Sequence, residues 1–440
     1  MKMILRTVAG FLVVVFLGSV VAIGAGLANE SVAVALDETT TTTAQKATTT
    51  TSRSTTTTTI RSERATTVEA PATPGVYVSE VAEFGESMVQ VATGVAAIVG
   101  VGPNPNAAPV AVTSFAQFEE RVPNSSSSLA AAVKQFFANG GAQALIKGAS
   151  GASAGSIVSA IGESLPVGAD LLIVADLSAL AQSDWLSVAA AMGRAASASL
   201  AIAFVDPPQS VVAQAASSAG SLSALTSLGT ELRAASGAAA KSILLFASNL
   251  VDTAGATLPV SPFFAGLIAA TDANDGFWNA PNGFANTFTS VRPQFASTRA
   301  QDALLQESGL SPLMYVPGRG TAVLSDRLLS GPSDYLSAER TLNTIQATIT
   351  NGLVSYVFAA NDGMTWSSVT QAVSGYLEGL FTQGALLGNN AADAFSVACG
   401  VGSTMTSLDI LNGYMIVNAA VAVEHPGVFD RISIKQQMGN

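Results

Sequence analysis

LLIVADLSALAQSDWLSVAAAMGRAASASLAIAFV, residues 171–205, changes its hydrophobic period twice. Leu171, Leu172, Ile173 and Val174 make a continuous apolar run of strand length, residues 179–196 place apolar side chains at helical spacing, and residues 200–205 return to a continuous run. Outward from there, residues 211–235 read as helical and residues 243–246 as a strand. Strand, helix, strand, helix, strand implies a parallel sheet joined by right-handed crossovers. Asp176 and Asp206 stand where two of these strands end, the side on which open α/β sheets bind ligands. The competing reading is that each caps the helix after it.

The chain has 440 residues, 49% of them apolar and 11% charged, enough for more than one hydrophobic core. Net charge is −11; the first 70 residues hold 6 of the 19 basic and 5 of the 30 acidic residues, leaving 13 against 25 in the rest. That balance argues against a nucleic-acid partner. One Cys and one His, Cys399 and His425, exclude an internal disulfide framework and any zinc site built from several Cys and His ligands. No cofactor signature is found, and the carboxylates show no metal-binding spacing.

Before the folded part, Lys2 and Arg6 flank a weakly polar-to-apolar run over residues 7–28, about 22 residues, long enough for a helix to cross a hydrocarbon layer of roughly 30 Å. The run predicts a membrane-targeting helix, either a cleaved signal peptide or a retained anchor. The basic flank places the chain beyond residue 28 outside the cytoplasm, secreted or membrane-anchored. Residues 29–72 read as a disordered linker, since 14 of the 21 residues from 39 to 59 are threonine. As a flexible coil it would span on the order of 36 Å. Pro74 and Gly75 end it, and a short β-favouring run comes next at Val76, Tyr77 and Val78.

Further strands are expected at residues 95–99, 355–358, 395–398 and 414–423, and helices at 114–121, 128–138, 341–351 and 366–383. Near the end Ile432 and Ile434 alternate with Arg431, Ser433 and Lys435, the pattern of a half-buried strand.

In order, these pieces resemble the tail sheath family, the subunits of contractile phage tails and contractile injection systems. The resemblance begins with Thr73-Pro74-Gly75-Val76-Tyr77-Val78 and Glu80, runs through residues 91–100, Gly102-Pro103, Val112-Thr113-Ser114-Phe115 and Asn139-Gly140-Gly141, and resumes at Ser261-Pro262-Phe263-Phe264-Ala265-Gly266 and Gly276-Phe277-Trp278-Asn279-Ala280-Pro281-Asn282. Pro317-Gly318-Arg319-Gly320, Asn361-Asp362, Trp366, residues 384–388 and Asn412-Gly413 continue in family order.

The resemblance implies an α/β and α+β protein: a sheath-type core domain built from both chain ends, with a Rossmann-like α/β insertion. Expected segments are a signal peptide or anchor (1–28), the linker (29–72), an N-terminal core part with an arm (73–150), a middle α/β domain (151–257) and a C-terminal core domain with an arm (258–440). It also implies that Val76, Tyr77, Val78, Ser79, Glu80 and Val81, with Arg431, Ile432, Ser433, Ile434 and Lys435, form subunit interfaces by adding strands to a neighbour's sheet. From the residues alone, 76–81 reads as the first strand of its own domain's sheet; the resemblance is what favours exchange. Implied partners are other copies in a helical tube or stacked rings, an inner tail tube protein, and baseplate or cap proteins, with the membrane reached through the first segment.

The sequence departs from the family in its export segment, in Leu324-Ser325-Asp326-Arg327-Leu328 where a Trp-Gly-Ala-Arg-Thr-like stretch is usual, and in Pro426-Gly427-Val428-Phe429 near the end. These departures leave contraction open. An exported binding or adhesin protein that keeps the fold without contracting is the alternative.

A non-enzyme is expected. Gly151-Ala152-Ser153-Ala154-Gly155 fits the G-x-S-x-G pattern, with His425 later in hydrolase order, but residues 147–150 separate Ser153 from the apolar Leu145-Ile146, whereas a nucleophile elbow follows its strand directly. Gly318-Arg319-Gly320 lacks the P-loop pattern and reads as a turn. Trp185, Trp278 and Trp366 are too scattered for a base-stacking platform and read as packing residues.

Overall fold

The computed structural model describes residues 87–103, 107–164, 168–217 and 222–439, together with the backbone of three short strands near the N-terminus. Two compact units are distinguished, residues 1–79 and 80–440.

In the first unit the expected membrane-crossing helix is corrected. Strands β1 (Ile4–Val8), β2 (Phe11–Phe16) and β3 (Ser19–Gly24) pair antiparallel, Ile4 opposite Val15 and Phe11 opposite Gly24. Gly10 and Gly18 divide the apolar run into valine-rich pieces, and β-branched residues favour strands. Among the described residues no helix is long and apolar enough to cross a membrane. The threonine-rich linker and residues 76–81 lie outside the described residues.

The second unit opens with β4 (Val95–Val101), β5 (Val110–Val112), α1 (Phe115–Arg121), α2 (Ser127–Ala138), β6 (Gln143–Ala149), α3 (Ala154–Ser164) and β7 (Leu171–Val174). Next come α4 (Gln182–Ala198), β8 (Ile202–Val205), α5 (Gln209–Ser217), α6 (Ser223–Ser236) and β9 (Ile243–Phe246). The expected helix over 211–235 is therefore two helices.

After them stand β10 (Leu250–Asp252), β11 (Thr257–Leu258), α7 (Ser261–Asn274), β12 (Val291–Pro293), α8 (Arg299–Glu307), β13 (Leu310–Ser311), β14 (Leu313–Val316) and β15 (Gly320–Val323). One seven-stranded sheet has the order β13-β9-β8-β7-β4-β6-β5, parallel except for β5 at one edge. It draws strands from both sides of residues 150 and 257, so the expected segment boundaries at these positions fall within one sheet.

The strands are apolar on both faces because both faces are covered. Ala97, Val99, Leu172, Val174, Ala203 and Leu245 point into a core shared with α3, α4 and α6. Their neighbours Ala96, Ile98, Leu171, Ile173, Phe204 and Phe246 point the other way, toward α1, α2 and α7. Phe264 of α7 meets Phe204 and Phe246 edge-on, with ring centroids 5.8 and 5.7 Å away. Helices α2 and α7 touch closely at Gly266, where a Cβ would lie 2.5 Å from the Phe136 carbonyl oxygen.

A third core comes last. Helices α9 (Leu336–Leu353) and α10 (Gly363–Thr382), the short α11 (Ala391–Ala394) and α12 (Ser407–Leu411), and strands β16 (Phe395–Cys399), β17 (Tyr414–Val421) and β18 (Asp430–Gln437) enclose Ile345, Ile349, Val369, Val373, Met415 and Val417. Met88 is buried in this same core from the far side of the chain. The strand expected at residues 355–358 is corrected: Val354–Tyr356 is one 3₁₀ turn that continues α9. Phe358 beyond it is 89% exposed. These β-favouring side chains have no partner strand among the described residues, and propensity without pairing does not make a sheet.

Candidate assembly surface

Strand β18 carries the five C-terminal residues expected at a subunit interface. It pairs antiparallel with β17 of its own chain, Arg431 opposite Ala420, Ile432 opposite Ala419, Ser433 opposite Asn418, Ile434 opposite Val417 and Lys435 opposite Ile416. The alternation read in the sequence is physical: Ile432 and Ile434 are buried in the third core, while Arg431, Ser433 and Lys435 face out. Ser433 Oγ donates to Asn418 Oδ1 at 2.8 Å, and Lys435 Nζ sits 3.6 Å from the Tyr414 ring centroid.

In the sheet order β16-β17-β18 the outer edges of β16 and β18 pair with no strand among the described residues. Such an edge presents backbone donors and acceptors that a further strand can complete. The other expected interface residues, Val76, Tyr77, Val78, Ser79, Glu80 and Val81, lie outside the described residues, so the two ends are not seen together.

Where β17 turns into β18, the chain meets α9 in an acidic recess. Asp334, Glu339, Glu424 and Asp430 line it with Lys241, whose Nζ lies 3.1 Å from Glu339 Oε1. Burial pushes Glu339, Glu424 and Asp430 above their ordinary pKa; Lys241 opposes the shift at Glu339, and the Asp334 and Asp430 carboxylates add to it at Glu339 and Glu424. In β16, burial raises the Cys399 thiol to about 11, which keeps it protonated and unreactive at neutral pH.

A charged cluster that the sequence reading missed joins this region to the large sheet. Arg340, on α9, is 3% exposed and reaches Asp272 of α7 at 2.5 Å and Asp170, just before β7, at 3.0 Å. It also donates to the Phe277 carbonyl at 3.2 Å. Asp170 in turn accepts from the backbone N–H groups of Gly94 and Val95 at 3.1 and 2.8 Å. Burial alone would lower the Arg340 pKa, but Asp272 and Asp170 outweigh it and hold it above its ordinary value. The available signal was an arginine at the spacing of Leu336 and Thr344, on the buried stripe of an otherwise amphipathic helix.

The two strand-end aspartates accept hydrogen bonds from other parts of the chain and do not cap the helices after them. Asp176 accepts from Val101 N–H at 3.1 Å and from the Ser128 hydroxyl, and its side chain does not cap residues 177–179. Asp206 accepts from Val260 and Ser261 N–H and from Ser261 Oγ, so it caps α7, more than fifty residues away.

Around Ser153, β6 extends through Ala149, so the segment is a strand-to-helix turn after all. Ser153 Oγ donates to Ser156 Oγ at 2.9 Å and accepts from the Ser156 N–H at 3.3 Å, the geometry of a helix cap. Gly318 and Gly320 form the turn of the β14–β15 hairpin with φ of 77° and 128°. Trp185 is fully buried and donates to the Asp206 carbonyl at 2.7 Å, and Trp366 donates to Asn361 Oδ1 at 2.8 Å. Trp278 packs edge-on against Phe277.

The described chain thus combines a doubly wound α/β sheet with a helix-backed antiparallel sheet whose outer edges are open. This is the fold of contractile-system sheath proteins. It is similar to the sheath of the extracellular contractile injection system PVC in its contracted state, with TM-score 0.64 and 21% identity over 83% of this chain and 98% of that one. It is similar to a chain of the contracted anti-feeding prophage baseplate, with TM-score 0.63 and 25% identity over 83% and 99%. It is also similar to the sheath tail protein of Desulfitobacterium hafniense, with TM-score 0.56 and 8% identity over 83% and 100%. No protein-family model matches the sequence, and no curated protein matches it.

Proposed function

We propose that this protein is a sheath-like protomer that polymerises into a tubular wall by exchanging terminal strands between copies. The observation that carries the reading is the sheet β16-β17-β18, whose outer edges pair with no strand among the described residues, in a fold shared along 83% of the chain with contractile-system sheath chains. In this reading residues 76–81 of one copy and the β18 region of another complete a neighbour's sheet, and an inner tube protein occupies the lumen. The apolar run over residues 7–28 and its basic flank support export, with the threonine-rich stretch as a spacer.

Negative-stain microscopy of the purified full-length protein tests the assembly. Rings or tubes are expected, and removal of residues 73–81, which spares the three cores, should leave dispersed protomers. A wild-type protein that stays monomeric at high concentration favours the exported adhesin instead, and a deleted variant that polymerises as readily as the intact chain overturns strand exchange. Fractionation of the producing cell, with mass spectrometry of the N-terminus, tests export.

A further inference from the structure

A cleft of about 560 Å³ opens between β10, the segment leading into β12, and the turn of the β14–β15 hairpin. That volume falls in the range of small-ligand sites. Its wall holds two arginines. Arg292 lies with its guanidinium carbon 4.4 Å from the Tyr315 ring centroid, and Arg319 Nη1 donates to the Phe284 carbonyl at 3.2 Å. Both heads are thus positioned, yet neither forms an ion pair among the described residues.

The acidic residue of the wall, Asp252, turns one carboxylate oxygen to the N–H groups of Ala254 and Ala256 at 2.9 and 2.8 Å, so part of its accepting capacity serves the local turn. Thr253, Thr289 and Ser290 add hydroxyls. Ser290 holds φ at 63°, a left-handed conformation that costs a non-glycine residue and is retained where the surroundings impose it. In a body with 13 basic against 25 acidic residues after position 70, two exposed guanidinium groups that line one recess without an ion pair among the described residues run against the general charge.

We propose that this cleft binds a small anion, a carboxylate or phosphate carried on a hydroxylated body such as a sugar acid or sugar phosphate. Planar guanidinium forks match both groups, and the hydroxyls suit the polar remainder. The site is independent of the assembly reading and stands or falls separately from it.

Calorimetric titration of the full-length protein at low salt, with glucuronate, glucose 6-phosphate and inorganic phosphate as probes, tests it. Saturable binding of at least one sugar probe, tighter than inorganic phosphate, is expected. It should weaken by about tenfold or more in R292Q/R319Q, which loses two charge-assisted contacts, and by less in R292K/R319K. Preference for glucuronate assigns a carboxylate ligand, and preference for glucose 6-phosphate a phosphate. Bound ligand should also slow hydrogen exchange over residues 289–294 in the unmodified protein, a readout that survives if a variant fails to fold. No saturable binding by any probe, no protection, or unchanged affinity in a well-folded double glutamine variant overturns the proposal.

Discussion

Asp206 shows how one side chain can fix distant pieces of chain. Burial pushes its pKa up to about 6, opposed by the Ser261 hydroxyl and the two backbone donors at the start of α7. A folded pKa above the unfolded value means that the native state holds the proton more tightly. The associated stability is fully present below about pH 4 and is lost as pH rises through 6, by roughly 3 kcal/mol for a shift of this size. Unfolding free energy measured by urea from pH 4 to 7 should therefore fall more steeply in the wild type than in Asp206→Asn, which cannot titrate. Parallel curves would show that the carboxyl is not the source.

Arg340 makes the opposite kind of contribution. Arg340→Met would leave Asp170 and Asp272 buried without their cation, and a cost of about 3–5 kcal/mol is expected in the same urea measurement. Arg340→Lys should fall between the two, since it keeps the charge but not the fork that meets two carboxylates and a carbonyl.

At the scale of elements, β18 offers a test within a single strand. Ile434→Ala should cost about 2 kcal/mol or more, because Ile434 fills the third core, whereas the outward Ser433→Ala should stay within about 0.5 kcal/mol. In the β14–β15 hairpin, Gly320→Ala would set a Cβ 2.2 Å from the Phe288 carbonyl oxygen at a φ of 128°. A loss of about 1–3 kcal/mol in thermal or urea unfolding is expected.

Elements of this kind were legible to the extent that their signal was local. The runs at Leu171–Val174 and Ile243–Phe246 read as buried strands because every residue is apolar, and Ile432 with Ile434 revealed a one-faced strand by alternation. Features that depend on distant partners were not legible. Nothing near Asp206 in the sequence announces that its carboxyl serves residues 260 and 261. Nor does residue order reveal that β4 lies between β6 and β7, so by sequence the early strands read as a different segment from the sheet they join. Val357 and Phe358 mislead for the same reason: their side chains favour strands, but no described strand stands beside them.

For the whole molecule, net charge enters any account of association. Copies of a chain carrying −11 repel one another at low salt. If the protein polymerises as proposed, light scattering should rise as the Debye length contracts from about 30 Å at 0.01 M to about 8 Å at 0.15 M ionic strength, at constant protein concentration. Assembly that weakened over this range would point to ion pairs across the contact in place of backbone pairing with apolar side chains.

The Arg340 cluster also has a mechanical meaning. A greasy seam can slide and regain its contacts at each step, whereas directional bonds between one guanidinium and two carboxylates give up most of their strength within a small displacement. Pulled apart, the junction between α9 and the large sheet should behave as a brittle fastener, rigid up to a threshold load and then released abruptly.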